Sequence, residues 1–192
     1  MPEEKPTLNP DDILIAEFEY IAATATQANE DRSKVASFYL VSFGSFIAAL
    51  LTTQLGDSQY PVALIQGSFT GLFIVLALLG LLTIIQLARL RMAWLESVRA
   101  LNQIKEYYCS RMEVIKLSRA FRFTDKAMPK AFKVNSVAFI MIVEVAVLAG
   151  FAAGAAVLFG LQIIGQQSWL WPIVVGVSFA ALQLVLYRLL LK

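Results

Sequence analysis

The sequence predicts an all-α polytopic membrane protein with four transmembrane helices, the first two extended into a cytoplasmic helical stalk. Its composition is 58% hydrophobic and 16% charged, with a mean hydropathy of +0.68, which lies outside the range of soluble domains. The apolar residues form four runs. Eleven of the sixteen Lys and Arg residues lie between residues 89 and 133, and the other two loops contain none.

Residues 1–34 are predicted to form an acidic, amphipathic cytoplasmic helix. Asn9 is the expected N-cap, followed by Pro10 at the first helical position and by two aspartates near the positive end of the helix dipole. An apolar stripe recurs at helical spacing, formed by Leu14, Phe18, Ile21, Ala25 and Ala28. No Pro or Gly lies between Pro10 and Gly44, so we expect this helix to continue into the first span.

Residues 35–87 hold the first two predicted spans. The first covers about 35–53, enough to cross a hydrocarbon core of roughly 30 Å. Residues 54–60 form a short loop without a cation, and Pro61 opens a second apolar run that ends at Leu87. The brevity of the loop predicts that the two spans are antiparallel neighbours.

Residues 88–133 are predicted to form a basic cytoplasmic helical segment with a turn near Thr124 to Pro129. An apolar stripe recurs along it at helical spacing, formed by Leu90, Trp94, Val98, Leu101, Ile104, Tyr108, Met112 and Ile115. Such a stripe in a cytoplasmic segment needs another apolar surface to pack against. The acidic N-terminal helix is the predicted partner, because residues 1–34 carry a net charge of −5 and residues 89–133 a net charge of +7.

Residues 134–188 hold the last two predicted spans. The third covers about Val134 to Ile164, a turn follows at Gly165 to Ser168, and two tryptophans mark the interfacial start of the fourth. Residues 189–192 form a short tail. Because all sixteen cations fall on one side, the positive-inside rule predicts an integral membrane protein with both termini cytoplasmic.

Glu144 is the one ionisable side chain well inside a predicted span. A carboxylate at that depth is by default a functional candidate. It either joins helices by hydrogen bonds, through Gln86, Gln183 or Ser136, or lines a pore or subunit interface, or couples to ion movement. The candidate intramembrane polar or pore residues are Glu144, Gln66, Thr70, Gln162 and Gln183.

Small residues recur at four-residue spacing in two spans, at Gly67 and Gly71 and at Gly150 and Gly154. Such repeats let helix backbones approach closely in lipid. They predict either packing among the four spans or a seam between copies of the chain.

Cations alternate with aromatic residues in the basic segment. Three interpretations are open: contact with anionic lipid headgroups, binding of a nucleotide or single-stranded nucleic acid, and pairing with the acidic helix. The candidate ligand-binding residues are Arg111, Lys116, Arg119, Arg122, Lys126, Tyr108 and Phe121.

Enzyme motifs are missing from the sequence. It contains no His, no phosphate-binding glycine loop and no cluster of metal ligands, so we expect no catalytic residues, no metal and no cofactor.

The helix from Glu17 to Lys34 that enters a span, together with the helix from Ala93 to Tyr108 that leaves one, resembles the small helical membrane effectors of bacterial anti-phage systems. Within that group, the chain resembles the SLATT-type effectors and the membrane component of the Hailong system. SLATT proteins are described by two spans where this chain has four. The resemblance implies a homo-oligomer, silent at rest, which a nucleotide-like signal opens to permeabilise the inner membrane.

The function expected from the sequence is therefore an oligomeric membrane effector or channel that is gated through its cytoplasmic helices. The alternative is a non-conducting membrane subunit or scaffold that holds a cytoplasmic partner protein. A channel should line a continuous path with polar residues, whereas a scaffold should show dry packing of small residues throughout.

Overall fold

The computed structural model describes residues 9–54, 61–111 and 128–192. In these residues the chain forms four α-helices and no strand: α1 (Pro10–Gln54), α2 (Val62–Arg111), α3 (Val137–Ile163) and α4 (Leu170–Leu190). All four are long and apolar enough to cross a membrane. The predicted all-α chain with four membrane-type helices is confirmed at this level.

The first two helices are much longer than a membrane crossing requires. Asn9 caps α1, since its Oδ1 accepts a hydrogen bond from the Asp11 backbone N–H at 3.2 Å, and the helix continues unbroken to Gln54 as predicted. The 45 residues of α1 extend about 68 Å and the 50 of α2 about 75 Å. A hydrocarbon core is roughly 30 Å thick.

The third helix begins at Val137, three residues later than the apolar run predicts. Ser136 is the reason. Its hydroxyl accepts a hydrogen bond from the Phe139 N–H at 3.2 Å and donates one to the Lys133 carbonyl at 2.8 Å, which caps the helix. The prediction began the apolar run at Val134, although the polar Asn135 and Ser136 separate that residue from Val137, and a serine before an apolar run is a typical N-cap.

The predicted turn between the third and fourth spans is confirmed. Gly165 has a φ of 74°, and its N–H bonds the Gln162 carbonyl at 3.1 Å while the Gln166 N–H bonds the Leu161 carbonyl at 2.9 Å. This pair of bonds is a Schellman motif, which satisfies the last carbonyls of α3. In the other predicted turn, Met128 and Pro129 are not helical, and Thr124 to Ala127 lie outside the described residues.

The chain divides into two compact units. The polar unit contains the described residues of 1–31 and 90–131, and the apolar unit contains those of 32–89 and 132–192. Helices α1 and α2 each contribute one part to each unit, whereas α3 and α4 belong to the apolar unit alone.

In the apolar unit, α1, α2 and α3 meet around Tyr39. The Tyr39 hydroxyl donates a hydrogen bond to the Leu76 carbonyl of α2 at 3.3 Å, and Phe43 of α1 contacts Phe151 of α3 edge to face, with ring centroids 6.2 Å apart. Leu76 and Ala149 are fully buried. The centre of this unit is therefore an apolar core built from three helices.

Helices α2 and α3 are antiparallel, because residues early in α2 contact residues late in α3. Phe73 stacks on Phe159 at 5.8 Å, and Gln66 hydrogen-bonds Gln162 at 3.3 Å. Helix α4 packs on α3 through Gly176, which lies against Gly150 and Gly154. Most of the large apolar side chains of α4 remain exposed, as expected for a helix that faces lipid.

Candidate functional sites

Glu144 lies on the outer surface of the apolar unit. Its side chain is exposed in an otherwise apolar stripe of α3 that contains Ile140, Val147 and Phe151, each more than half exposed. Glu144 has no hydrogen bond to any described residue. The predicted partner Ser136 is engaged in capping α3. The carboxylate therefore projects outward from the segment that is apolar enough to span a membrane.

Three of the other candidate polar residues lie together near the α3–α4 turn. The Gln66 Nε2 donates to the Gln162 Oε1 at 3.3 Å, and the Thr70 hydroxyl donates to the Gln66 carbonyl at 2.8 Å. Gln66 and Gln162 line a cavity of about 490 Å³ that is closed by the turn at residues 165–169. Neutral amide and hydroxyl groups dominate its polar surface.

Gln183 lies elsewhere, in the packed interior. Its side chain has no exposed surface, and neither its Oε1 nor its Nε2 has a hydrogen-bond partner among the described residues. A buried amide without partners is unfavourable, above all where lipid surrounds the protein.

The five candidate pore residues thus occupy three environments: the polar cavity, the buried core and the outer surface. They do not line one path through a single protomer. Any continuous polar path would have to run along the outer face that carries Glu144.

The two small-residue repeats differ in what they face. A Cβ added at Gly150 would lie 2.7 Å from the Gly176 carbonyl oxygen, and one added at Gly154 would lie 2.7 Å from the Pro172 carbonyl oxygen. The α3 repeat is therefore the seam between α3 and α4. Added Cβ atoms at Gly67 and Gly71 would meet nothing within 4 Å, and both glycines are exposed.

Of the candidate ligand-binding residues, Arg111 and Tyr108 are described. The Arg111 guanidinium lies 4.6 Å from the ring centroid of Tyr107, which contacts Tyr108 edge to face at 5.8 Å. The remaining candidates, Lys116, Arg119, Phe121, Arg122 and Lys126, lie outside the described residues. Arginine stacked on an aromatic ring is one recurrent element of nucleotide and nucleic-acid sites.

Another aromatic residue of the basic segment, Phe132, packs internally. Its ring lies edge to face with Phe139 at 5.5 Å and contacts Tyr187 at 6.4 Å, with the Arg188 guanidinium 5.6 Å from its centroid. Phe132 joins the starting end of α3 to the final end of α4.

Arg91 is a structural residue that the sequence interpretation did not single out. It is buried, and its Nη2 and Nε donate to the backbone carbonyls of Lys130 and Ala131 at 3.1 and 3.5 Å. Its guanidinium also lies 4.6 Å from the ring centroid of Trp94. This clamp fixes the last part of the basic segment against α2. The sequence carries one signal for part of this arrangement, because Arg91 precedes Trp94 by three positions and residues at that spacing are neighbours on a helix surface.

The polar unit contains the predicted contact between the N-terminal helix and the basic helix. The Lys105 ammonium lies 5.9 Å from the ring centroid of Phe18. In α1 the predicted stripe is the less exposed side, with Ala25 and Ala28 buried. In α2 the six described stripe residues are half-buried, and the most buried positions lie beside them, at Arg91, Leu95, Ser97 and Asn102.

Residues that could hold a metal ion were also sought. Within the ranges that the structure describes, no three His, Cys, Asp or Glu side chains cluster closely enough to ligate one.

The architecture defines a class of protein, the all-α chain with four helices of membrane-spanning length and composition. Comparisons with protein-family models, with curated proteins and with solved structures gave no match.

Proposed function

We propose that this chain is an oligomeric, channel-like protein of the bacterial inner membrane, gated through its cytoplasmic helices. The observation that carries the proposal is the exposed carboxylate of Glu144 on α3. It lies seven residues after Val137, about 10 Å along the helix. A charged side chain in lipid costs at least roughly 2.5–3.5 kcal/mol on insertion scales. A second copy of the chain or a water-filled path would remove that cost.

The exposed glycines of α2 support assembly between copies. Gly67 and Gly71 present bare backbone on a helix face that no described residue of the same protomer covers. The corresponding glycines of α3, Gly150 and Gly154, pack against α4 of the same protomer. A second chain that packs against α2 would gain the close approach that small residues allow.

The two long helices support gating. Each of α1 and α2 belongs partly to the polar unit and partly to the apolar unit, without a break in the helix. A ligand or partner that rearranges the polar unit would therefore act on segments that continue into the spans. The proposed ligand is anionic, a nucleotide or single-stranded nucleic acid, bound by Arg111, Tyr108 and the basic residues that follow them.

The charge distribution supports cytoplasmic termini, because all sixteen cations lie on one side of the proposed spans. The resemblance to the SLATT-type and Hailong membrane effectors supports a role in bacterial defence. In that role, opening of the oligomer would permeabilise the inner membrane of an infected cell.

The experiment compares wild type with Glu144→Gln and Glu144→Leu in planar bilayers and in native mass spectra. Glu17→Gln is the control, since it makes the same chemical change on an exposed helical position outside the spans. We expect a symmetric oligomer whose cation selectivity falls in Glu144→Gln and whose conductance or assembly is lost in Glu144→Leu. A monomeric wild type, or identical currents from all four proteins, would refute the proposal.

The alternative, a non-conducting scaffold, is favoured by one observation, the close packing of small residues where Gly176 of α4 lies against Gly150 and Gly154 of α3. A scaffold would leave vesicles impermeable while the polar unit retains a partner protein. A dye-leakage assay in the presence of nucleotides separates the two functions.

A further inference from the structure

Two cavities of the apolar unit adjoin. The polar cavity of about 490 Å³ lies at the α3–α4 turn, and an apolar groove of about 460 Å³ follows the seam between α3 and α4. Leu158 and Trp169 line both. Both volumes lie in the range of small-molecule sites, about 300–1,000 Å³. Together they offer a polar end and an apolar body that meet at Leu158 and Trp169.

The groove exists because glycine lines it. Gly150, Gly154 and Gly176 contribute no side chains where the two backbones come closest, so the seam is a trough. Its walls are large apolar side chains that are at least 60% exposed, namely Phe151, Ile173 and Val177. Nothing polar interrupts the trough between Val147 and Leu158 along α3.

The polar end carries hydrogen-bonding groups and no charge. Gln66, Gln162, Gln166, Gln167 and Ser168 line it, and none of its lining side chains is ionisable. Amides both donate and accept, which suits a polar group of no net charge. Trp169 stands at the junction and is 72% exposed, and an indole prefers the boundary between apolar and polar surroundings.

We propose that this space binds one membrane glycerophospholipid with a zwitterionic headgroup. The headgroup occupies the cavity at Gln162 and Ser168, and one acyl chain lies in the groove along Gly150 and Gly154. The site goes beyond the proposed channel function, and shares with it only the insertion of the chain in a membrane.

The dimensions favour an acyl chain over a helix from a second copy. The groove follows α3 for about 16 Å from Val147 to Leu158, which gives a mean cross-section of about 28 Å². A helix about 10 Å across has a cross-section of roughly 80 Å².

The first test is retention of phospholipid by the full chain. Protein purified from membranes in mild detergent is analysed by native mass spectrometry, as wild type, as Ala155→Phe, which fills the groove, and as the control Val185→Phe. Val185 is exposed on α4 and does not line the groove.

We expect one zwitterionic phospholipid per chain in wild type and in Val185→Phe, and loss of the bound phospholipid in Ala155→Phe, because the added ring occupies the groove. Equal occupancy in all three would overturn the proposal. So would retention of anionic lipid alone, which would place the lipid at the basic segment. A lower oligomer mass in Ala155→Phe with unchanged lipid would identify a second copy as the occupant.

The second test needs no substitution in the groove. Trp169 is kept as the only tryptophan by Trp94→Phe and Trp171→Phe, and the protein is placed in phosphatidylcholine vesicles with a small fraction of lipid brominated on its acyl chain. A companion variant keeps Trp171, which is 57% exposed and does not line the groove, as the reporter of bulk lipid. We expect displacement by unlabelled lipid to be slower at Trp169. Identical exchange at both tryptophans would contradict a lipid site.

Discussion

Replacement of Gly80 by alanine should push α2 away from both α1 and α3. A Cβ built on Gly80 of α2 would lie 2.5 Å from the Ala149 Cβ of α3 and 2.7 Å from the Tyr39 hydroxyl oxygen of α1. Carbon atoms pack best at about 3.5–4.0 Å. Ala149 and Tyr39 are almost completely buried, and Tyr39 is held by its hydrogen bond to the Leu76 carbonyl, so neither can move aside without shifting a helix.

The magnitude follows from two opposing effects. Alanine is favoured over glycine in a helix interior by about 1 kcal/mol. Overpacking of a well-packed core costs about 1–3 kcal/mol, and the contacts here are severe. We expect Gly80→Ala to lower the free energy of unfolding by about 1–2 kcal/mol and the Tm by roughly 2–8 °C.

The assay is thermal unfolding in mild detergent, followed by far-ultraviolet circular dichroism, with Gly44→Ala as the matched control. A Cβ at Gly44 meets nothing within 4 Å, so this variant should be unchanged or slightly more stable. Adding Ala149→Gly to Gly80→Ala should restore part of the loss, because it removes the closest contact. A Gly80→Ala protein as stable as wild type would show that the three-helix contact is not tight.

Three further predictions test other features. Arg91→Ala should lower the free energy of unfolding by about 2 kcal/mol, because it removes the charged hydrogen bonds from a buried guanidinium to the Lys130 and Ala131 carbonyls, and the exposed neighbour Arg89→Ala should not, as measured by the same unfolding assay. Gln183→Leu should be neutral or more stable by about 1 kcal/mol, since it removes a buried amide without partners; a loss of stability or a change in conductance would indicate that Gln183 binds water in a path. Cys109, the single cysteine, should react with a membrane-impermeant maleimide only in inside-out vesicles, whereas Ser168→Cys in a Cys109→Ser background should react only in right-side-out ones. The reverse pattern would invert the proposed topology.

Much of the fold was predictable because hydropathy and helix signals are local. The four apolar runs gave four helices, Asn9 predicted the start of α1, and Gly165 predicted the turn before α4. The start of α3 was placed three residues early, because Val134 was counted with the apolar run although Asn135 and the cap residue Ser136 separate it from Val137.

The pairing of helix faces was not predictable to the same degree. The spacing of Gly150 and Gly154 predicted close helix packing, which the structure has, but Gly67 and Gly71 of α2 have the same spacing and are exposed. Conversely, Gly80 has no small residue four positions away and yet lies at the tightest contact of α2. Spacing within one helix shows that a close approach is possible, and only the partner helix decides where it occurs.

Among the candidate site residues, the sequence predicts that Glu144 lies within a span but does not predict which face of the helix carries it. A residue in a helix that is apolar all round has no periodic signal to orient it. The clamp of Arg91 was missed for a related reason, because its partners are backbone carbonyls 39 and 40 positions away. Every residue has a backbone carbonyl, so the sequence does not indicate which carbonyls accept a hydrogen bond from a distant side chain.

The glycine seam between α3 and α4 has a consequence for synthesis of the chain. A ribosome releases α1, α2 and α3 before α4, and the contacts around Tyr39 and between Gln66 and Gln162 involve only those three helices. A three-helix core can therefore form while α4 is still being translated, because these contacts do not need α4. Docking of Gly176 onto Gly150 then becomes the last step of biogenesis, and a nascent chain arrested within α4 should retain a folded core.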